Sequence, residues 1–202
     1  MNECAGYNRD ITAQTELLWS MVSGQRWLSA MLEAAPSLGQ HSYYLGAGCI
    51  VQTVWNVLSG YDPLYGIEDA DFVYYDDRDL SFEAEDRTVR KAQALFADAP
   101  VRIDVKNQAR VHLWYESRFG YPIRPYRTLE EAINSWPTTA TCVGIRLDGP
   151  GKPSVYAPYG LNDLFGMIVR ANKTQITQDI YERKAAKWKA KWPDLTILPW
   201  DQ

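Results

Sequence analysis

The sequence predicts an α+β fold with an α/β-like core, in which a mixed β-sheet is flanked by helices and extended by helical additions at both ends. Three observations predict it. The first half of the chain alternates helical and strand periodicity, a glycine-containing turn joins one strand directly to a helix, and a Gly/Pro-rich turn separates two later strands. The 202 residues are 46% hydrophobic and 23% charged, as in a globular domain. We expect one domain over 1–202, with a core over roughly 38–157 and a helical part over 158–202.

The first half of the chain supplies helices and strands in turn. Apolar residues at helical spacing predict a helix or a broken pair of helices over 12–35. A short strand over 41–45 runs into glycines that begin a helix, and that helix is expected to end at Gly60. β-Forming residues predict a second strand over 70–75. Ser81 is expected to cap the next helix, because two glutamates follow it in the first turn.

The second half is predicted from similar local patterns. Its expected elements are a strand over 101–105, a helix capped by Asn107, a short helix with a capping box at Thr128, a hairpin of strands over 142–147 and 154–157, and a helix from Leu161 to Trp188. The strand over 101–105 has apolar residues at odd positions and polar residues at even ones. Asp104 should therefore face away from Ile103.

Charge is nearly balanced in total but unevenly distributed. With 25 acidic and 21 basic side chains, the formal charge of −4 argues against a surface built entirely to grip nucleic acid. Residues 62–86 contain ten acidic residues and one basic residue, whereas residues 183–191 contain five basic residues and no acidic one. The basic run and its neighbouring tryptophans are typical either of a surface for single-stranded nucleic acid or of a helix whose tryptophans cover the core.

The cysteines and the N-terminus indicate a cytoplasmic protein. Cys4, Cys49 and Cys142 are too few and too scattered for a disulfide framework or a CxxC metal site, so we expect a reducing compartment. Residues 1–10 lack the apolar stretch of a signal peptide, and no window reaches about 18 consecutive apolar residues. We therefore expect no membrane partner.

The strongest local signal is an acidic pair at the start of the second strand. Asp69 and Asp71 are separated by one residue, so strand geometry places both on one face about 6–7 Å apart, where they can share a divalent cation such as Mg²⁺ or Mn²⁺. Without a cation, their repulsion raises the pKa of one carboxyl group and lowers stability, which a solvent-exposed edge tolerates. Asp104 supplies a third carboxylate on the polar face of the next strand.

A glycine turn precedes the acidic pair. Gly46, Ala47 and Gly48 lie between a predicted strand and a predicted helix. Glycine lets the backbone approach a ligand, and the first N–H groups of a helix suit a phosphate. Phosphate together with two divalent ions is typical of phosphoryl or nucleotidyl transfer, in which two aspartates bridge both ions and a third carboxylate binds the ion that activates the attacking oxygen.

Two cations follow the third aspartate. Lys106 and Arg110 are expected either to hold a triphosphate and its pyrophosphate leaving group or, equally, to balance local aspartates at the surface. His112 suits a proton shuttle, although a hydrogen-bonded structural histidine is the more common case.

These residues resemble the nucleotidyltransferases related to DNA polymerase beta. The motif of that superfamily is a glycine turn that opens a helix, two acidic residues in alternation on the next strand, and a third acidic residue on a later strand. In this sequence it corresponds to 45–48, 68–72 and 103–105. Two departures are the alanine at position 47, where a second glycine or a serine is usual, and the 21 positions from Gly48 to Asp69, where about a dozen are usual.

Over nearly the whole chain, the sequence is similar to the bacterial nucleotidyltransferase-like family. The recurring strings of that family are found here as Gly46-Ala47-Gly48 with Thr53-Val54-Trp55, as the segment from Asp104 to His112, as the segment from Ala157 to Phe165, and as Lys187-Trp188 with Trp192-Pro193. The resemblance implies a minimal nucleotidyltransferase fold.

The resemblance also implies an activity: a metal-dependent transfer of a nucleoside monophosphate from a nucleoside triphosphate to an acceptor, with release of pyrophosphate. Asp69, Asp71 and Asp104 would be the catalytic residues and the ligands of Mg²⁺ or Mn²⁺. The nucleotide would be bound by Gly46, Ala47, Gly48, Lys106 and Arg110. The acceptor, whether a small molecule, a protein or an RNA, is not implied.

Two alternatives stay open at the level of the sequence. The imperfect glycine motif is compatible with a non-catalytic protein of the same fold that binds a nucleotide or a partner. The same carboxylates would also support hydrolysis of a phosphodiester, since water can replace the acceptor.

Overall fold

The computed structural model describes residues 5–202, so Cys4 lies outside it. Five strands form one mixed sheet: β1 (Tyr43–Gly46), β2 (Asp69–Tyr74), β3 (Arg102–Asn107), β4 (Gly144–Leu147) and β5 (Pro153–Tyr156). Their order is β3-β2-β1-β4-β5. β2 and β3 are parallel, and the other neighbours are antiparallel. The mixed sheet of the predicted α+β fold is confirmed.

Eight α-helices flank this sheet or follow it in residues 5–202: α1 (Ile11–Ser23), α2 (Arg26–Ala34), α3 (Gly48–Ser59), α4 (Phe82–Leu95), α5 (His112–Phe119), α6 (Leu129–Asn134), α7 (Asn162–Phe165) and α8 (Gln178–Lys191). The first two are the broken pair expected over 12–35. α3 ends at Gly60, which has the left-handed φ of 68°. Ser81 caps α4, because its side chain accepts a hydrogen bond of 3.2 Å from the backbone N–H of Ala84.

The prediction of one helix from Leu161 to Trp188 is wrong over the middle part of this segment. Between α7 and α8 the chain forms β6 (Ile168–Val169), which pairs in parallel with β7 (Thr196–Ile197). The backbone around β6 also bonds to an earlier loop, since the N–H of Thr139 donates to the carbonyl of Arg170. Tertiary pairing therefore overrides helical periodicity here, because burial of Val169 and Ile176 is as compatible with an extended chain as with a helix.

Two predicted caps have a different form in the structure. Asn107 caps a short 3-10 turn over Gln108–Arg110, and α5 begins only at His112. Thr128 caps α6 as expected, but the reciprocal bond of a capping box is replaced: Glu131 accepts from the N–H of Arg127, one residue earlier than the cap.

The two faces of the sheet have different roles. The residues of β2 that alternate with the aspartates, Ala70, Phe72 and Tyr74, are buried in the main core. On the opposite face, Val73 packs in a smaller cluster with Leu129 and other buried side chains. The acidic pair shares this second face. In the described part of the chain, no helix has both the length and the apolar character needed to cross a bilayer.

Candidate active site

The structure brings the three predicted carboxylates to adjacent positions on two neighbouring strands. Asp69 and Asp71 occupy alternate positions of β2 and therefore point to the same face of the sheet. Asp104 lies on β3 directly opposite Asp71 in the parallel register. All three side chains are half-buried. Three carboxylates thus lie close together on one face of the sheet.

Two of these carboxylates form ion pairs with cations on β3. Arg102 Nη2 lies 2.7 Å from Asp69 Oδ2, and Lys106 Nζ lies 2.6 Å from Asp104 Oδ1. Within residues 5–202, no three histidine, cysteine, aspartate or glutamate side chains are gathered into a metal-binding group. A metal ion at this centre therefore requires Asp69 and Asp104 to turn from these cations towards it.

Asp71 is the carboxylate whose charge is least compensated. Burial, and to a smaller extent repulsion by Asp69 and Asp104, raises its pKa to about 7, although the positive charges of Lys184 and Lys106 act in the opposite direction. A divalent cation would favour the ionised form. Oxygen donors with uncompensated negative charge are the ligand type that Mg²⁺ and Mn²⁺ prefer, so the residues present fit such an ion.

The glycine turn lies beside this centre. Gly46 is opposite Asp71 in the β1–β2 register, and a Cβ added to Gly46 would lie 2.7 Å from the carbonyl oxygen of Val143. Ala47 has φ 52° and ψ −130°, a conformation that residues with a Cβ rarely adopt. Its N–H donates to the same Val143 carbonyl at 3.0 Å. The residue before β4, Val143, therefore holds the turn, and Gly48 begins α3 directly after it.

Arg110 does not lie with the other site residues. It is only 9% exposed, its Nε donates to the carbonyl of Leu80 at 2.9 Å, and its guanidinium pairs with Glu85 in the first turn of α4. The 3-10 turn after β3 directs the side chain towards α4. The position of Arg110 thus argues against the expected phosphate contact and favours a structural role.

The basic C-terminal helix approaches the acidic centre. Lys187 and Lys191 of α8 each place Nζ 2.8 Å from a carboxylate oxygen of Glu68, the residue before Asp69. These two hydrogen bonds lower the pKa of Glu68 to about 2. Lys184 lies on the same side of the helix, one turn earlier, and its charge acts on Asp71. The acidic and basic runs of the sequence therefore meet at the start of β2.

Sequence reasoning missed Arg102 and Lys184 as neighbours of the carboxylates. Period-2 alternation puts Arg102, Asp104 and Lys106 on one face, so the signal for Arg102 was present in the sequence. Lys184 belongs to the basic run, whose complementarity to the acidic run was the available signal. The tryptophans of that region cover the core, since Trp188 is 9% exposed and Trp192 is fully buried.

Comparisons with known proteins agree with this architecture. A solved structure, described as an NMR structure that reveals a CCA-adding enzyme head domain, matches with a TM-score of 0.75 and 24% identity, over 91% of this chain and 95% of that one. This match shows the fold. A comparison with curated proteins gave no match. A family model described as nucleotidyltransferase matches residues 33–197, which include the glycine turn and all three carboxylates. The chain therefore belongs to this nucleotidyltransferase family, and nucleotidyl transfer is the general activity that the membership supports.

Proposed function

We propose that this protein is a Mg²⁺- or Mn²⁺-dependent enzyme that moves a nucleoside monophosphate from a nucleoside triphosphate to an acceptor and releases pyrophosphate. The observation that carries the proposal is the placement of Asp69, Asp71 and Asp104 on one face of two parallel strands, with Asp71 opposite Asp104. We also infer a cytoplasmic location, in keeping with the buried free thiols of Cys49 and Cys142.

The proposed roles of the carboxylates follow from their positions. Asp71 lies between the other two, so Asp71, Asp69 and Asp104 would hold the metal ions together. When bound, the two ions would lower the barrier by activating the attacking oxygen and by neutralising the charge of the leaving group.

The bond changes are those of an in-line displacement. The acceptor oxygen attacks the α-phosphorus of the triphosphate, the new oxygen–phosphorus bond forms, and the bond from the α-phosphorus to the bridging oxygen of pyrophosphate breaks with its electron pair. Asp104 orients the acceptor and takes the proton of its hydroxyl group.

We propose that the phosphates contact the turn formed by Gly46, Ala47 and Gly48. Backbone N–H groups at the start of α3 face the region beside Asp71, and the helix dipole favours an anion there. Lys106 is exposed enough to exchange Asp104 for a phosphate oxygen once metal is bound, since its side chain is 40% accessible. The second phosphate-binding cation in this proposal is Lys184, in place of the Arg110 predicted from the sequence, because the charge of Lys184 acts on Asp71.

One observation favours a second candidate, a nucleotide- or partner-binding protein that does not catalyse transfer. Arg102 and Lys106 already neutralise Asp69 and Asp104. A protein that had lost metal-dependent chemistry would retain such pairs as surface ion pairs. The two candidates differ in whether the α-phosphate of the triphosphate is transferred to another molecule.

The direct test is a pair of titrations with a matched control. Isothermal titration of a nucleoside triphosphate with Mg²⁺ should show binding to the wild type and a loss of at least about tenfold in affinity in the double variant Asp69→Asn/Asp71→Asn. Asp98→Asn, an exposed carboxylate in the turn after α4, should bind like the wild type. Unchanged affinity in the double variant would refute the site.

Catalysis is tested by following the α-phosphate. Each triphosphate, labelled at the α-phosphorus, is incubated with the protein, Mg²⁺ or Mn²⁺ and a cell extract. Transfer of label to a larger product that depends on Asp69 and Asp71 supports the enzyme. Binding without transfer supports the non-catalytic candidate, and release of free nucleoside monophosphate alone indicates hydrolysis.

A further inference from the structure

A second polar cleft opens on the same sheet face as the acidic centre. It has a volume of about 490 Å³ and is lined by six polar or aromatic side chains, Tyr75, Asp77, Arg124, Tyr126, Arg127 and Glu131, together with Pro125. None of these residues belongs to the acidic centre or to the glycine turn. The volume is within the range of small-molecule sites, roughly 300–1,000 Å³.

The cleft is placed in line with the carboxylates. Tyr75 follows β2 and packs in the same small cluster as Val73, so Asp71, Val73 and Tyr75 point to one face. Tyr75 lies four residue steps along the extended chain from Asp71, a distance of about 13 Å. Lys106, opposite Val73 in the register, lies between the two. Lys106 therefore places one cation between the acidic centre and the cleft, beside the buried Val73.

The cations of the cleft are available to a ligand. Arg124 and Arg127 are exposed, and in residues 5–202 neither guanidinium is within ion-pair distance of a carboxylate. Guanidinium groups bind phosphate through paired hydrogen bonds. Two arginines in one cleft therefore point to a phosphate-bearing ligand.

The aromatic side chains of the cleft are held in place. Tyr75 donates a hydrogen bond of 3.0 Å to the carbonyl of Tyr126, and the hydroxyl group of Tyr126 is bonded to Ser135 at 2.7 Å and to Gln175 at 2.8 Å. Fixed aromatic rings offer a stacking surface to a nucleobase. The carboxylates of Asp77 and Glu131 can accept hydrogen bonds from ribose hydroxyl groups or from an amino group of the base.

The donor nucleotide does not account for this combination. If the proposed function is correct, its phosphates lie at the carboxylates and the glycine turn, about 13 Å from Tyr75, and the nucleoside that remains carries no negative charge. The arginines of the cleft would then have no anion to bind. A second, phosphate-bearing molecule satisfies them.

We propose that the cleft binds the acceptor, and that the acceptor is a nucleotide or carries a terminal nucleotide unit. Arg124 and Arg127 hold its phosphate, Tyr75 or Tyr126 stacks on its base, and its hydroxyl group reaches past Lys106 to the α-phosphorus. The role of the bound nucleotide as an acceptor rests on the proposed function. The binding of a nucleotide in the cleft does not depend on that function.

The test uses the four ribonucleoside 5′-monophosphates, without divalent cation, against the full chain. Binding is followed by isothermal titration and by NMR shifts of the tyrosine rings. We expect at least one monophosphate to bind and the double variant Arg124→Gln/Arg127→Gln to lose about tenfold or more in affinity. Arg90→Ala removes an exposed arginine of α4 that pairs with Asp86 and should leave the affinity unchanged. The unphosphorylated nucleosides should bind more weakly.

Three results would overturn the proposal: no binding of any monophosphate, equal binding by the arginine double variant, or loss of binding in Asp69→Asn/Asp71→Asn instead. A thermal melt of each variant shows that it is folded. Failure of the proposed function gives a different pattern, because the triphosphate with Mg²⁺ would then bind without regard to Asp69 and Asp71 while monophosphate binding still depended on the arginines.

Discussion

Single residues decide whether the acidic centre holds cations of the protein or a metal ion. Asp69 pairs with Arg102 on the neighbouring strand, and Asp104 pairs with Lys106, two positions later on its own strand. Both pairs are at hydrogen-bonding distance. Such exposed pairs contribute about 0–1 kcal/mol. The binding free energy of a divalent ion held by several carboxylates is larger than this contribution. The ion pairs therefore compete with the metal but do not prevent it from binding.

The competition predicts a gain of affinity. Arg102→Ala frees Asp69, and we expect Mn²⁺ to bind about two- to fivefold more tightly, because an exposed ion pair competes only weakly with the metal. Isothermal titration of Mn²⁺ without nucleotide measures it. Arg90→Ala, which breaks the pair with Asp86 on α4, is the matched control. Weaker binding in Arg102→Ala would mean that Arg102 supports the metal site rather than competing with it.

Asp71 predicts a pH dependence of the metal-free protein. Its pKa is about 7 in the folded state, above the ordinary value of about 4 for an unfolded chain. The stabilisation from its protonated form is therefore complete below pH about 4 and is lost as the pH rises through 7. With EDTA present, we expect the unfolding free energy of the wild type to fall by roughly 2 kcal/mol between pH 5 and pH 8 relative to Asp71→Asn.

Urea denaturation at several pH values measures this difference. Adding Mg²⁺ at pH 8 should restore stability to the wild type and not to Asp71→Asn, because the ion compensates the Asp71 charge. Parallel pH profiles of the two proteins would contradict the account of Asp71.

Ala47 predicts a stabilising substitution. Its φ of 52° with ψ −130° is strained for any residue with a Cβ. Ala47→Gly should raise the unfolding free energy by about 1 kcal/mol, because relief of this strain exceeds the extra entropy of glycine in the unfolded chain. Thermal denaturation checks it. The neighbouring Gly46→Ala should be destabilising instead, since its Cβ would meet the Val143 carbonyl at 2.7 Å; the opposite order would refute the described turn.

At the scale of elements, local patterns predicted those helices and strands whose ends carry a specific signal. Gly60 and Ser81 fixed the end of α3 and the start of α4, because a left-handed residue and a side-chain cap act within one turn. The region of β6 could not be predicted, since its strand depends on β7, 28 residues away in the register of Ile168 with Thr196. Pairing with a distant segment leaves no hydrophobic periodicity in a strand of only two residues.

The docking of α8 is also a non-local feature. Trp192 is fully buried, stacks edge-on against Trp55, and donates a hydrogen bond of 2.8 Å to the side chain of Asn56. The sequence alone left these tryptophans open to either a core or a nucleic-acid surface. Burial decides for the core, because a fully buried indole cannot stack on a base.

This contact predicts a loss of stability without a loss of binding. Trp192→Phe keeps an aromatic ring but leaves the side-chain Oδ1 of Asn56 without its donor, so we expect a decrease of about 1–3 kcal/mol in the unfolding free energy. Denaturant unfolding measures it, and triphosphate affinity below the transition should stay at the wild-type level. Trp200→Phe, a partly buried indole near the C-terminus, serves as the comparison and should have the smaller effect.

At the scale of the whole molecule, the near-neutral charge of −4 conceals two regions that meet. Lys187 and Lys191 contact Glu68 beside the acidic pair, so the total charge says little about the local field around the site. The sequence predicted which carboxylates share a face, because strand alternation is local. It could not predict that α8 adds cations there or that Arg110 turns away to Glu85, because both depend on packing between distant elements.

The proposed transfer reaction depends on Asp69, Asp71 and Asp104 holding the metal together. The most direct measurement is a crystal structure with Mn²⁺ and a non-hydrolysable triphosphate analogue, in which anomalous scattering locates the ion. If these carboxylates hold the metal, the ion should lie about 2.1 Å from their oxygens, with Asp69 and Asp104 turned away from Arg102 and Lys106. A bound nucleotide with both ion pairs intact and no ion at Asp71 would contradict it.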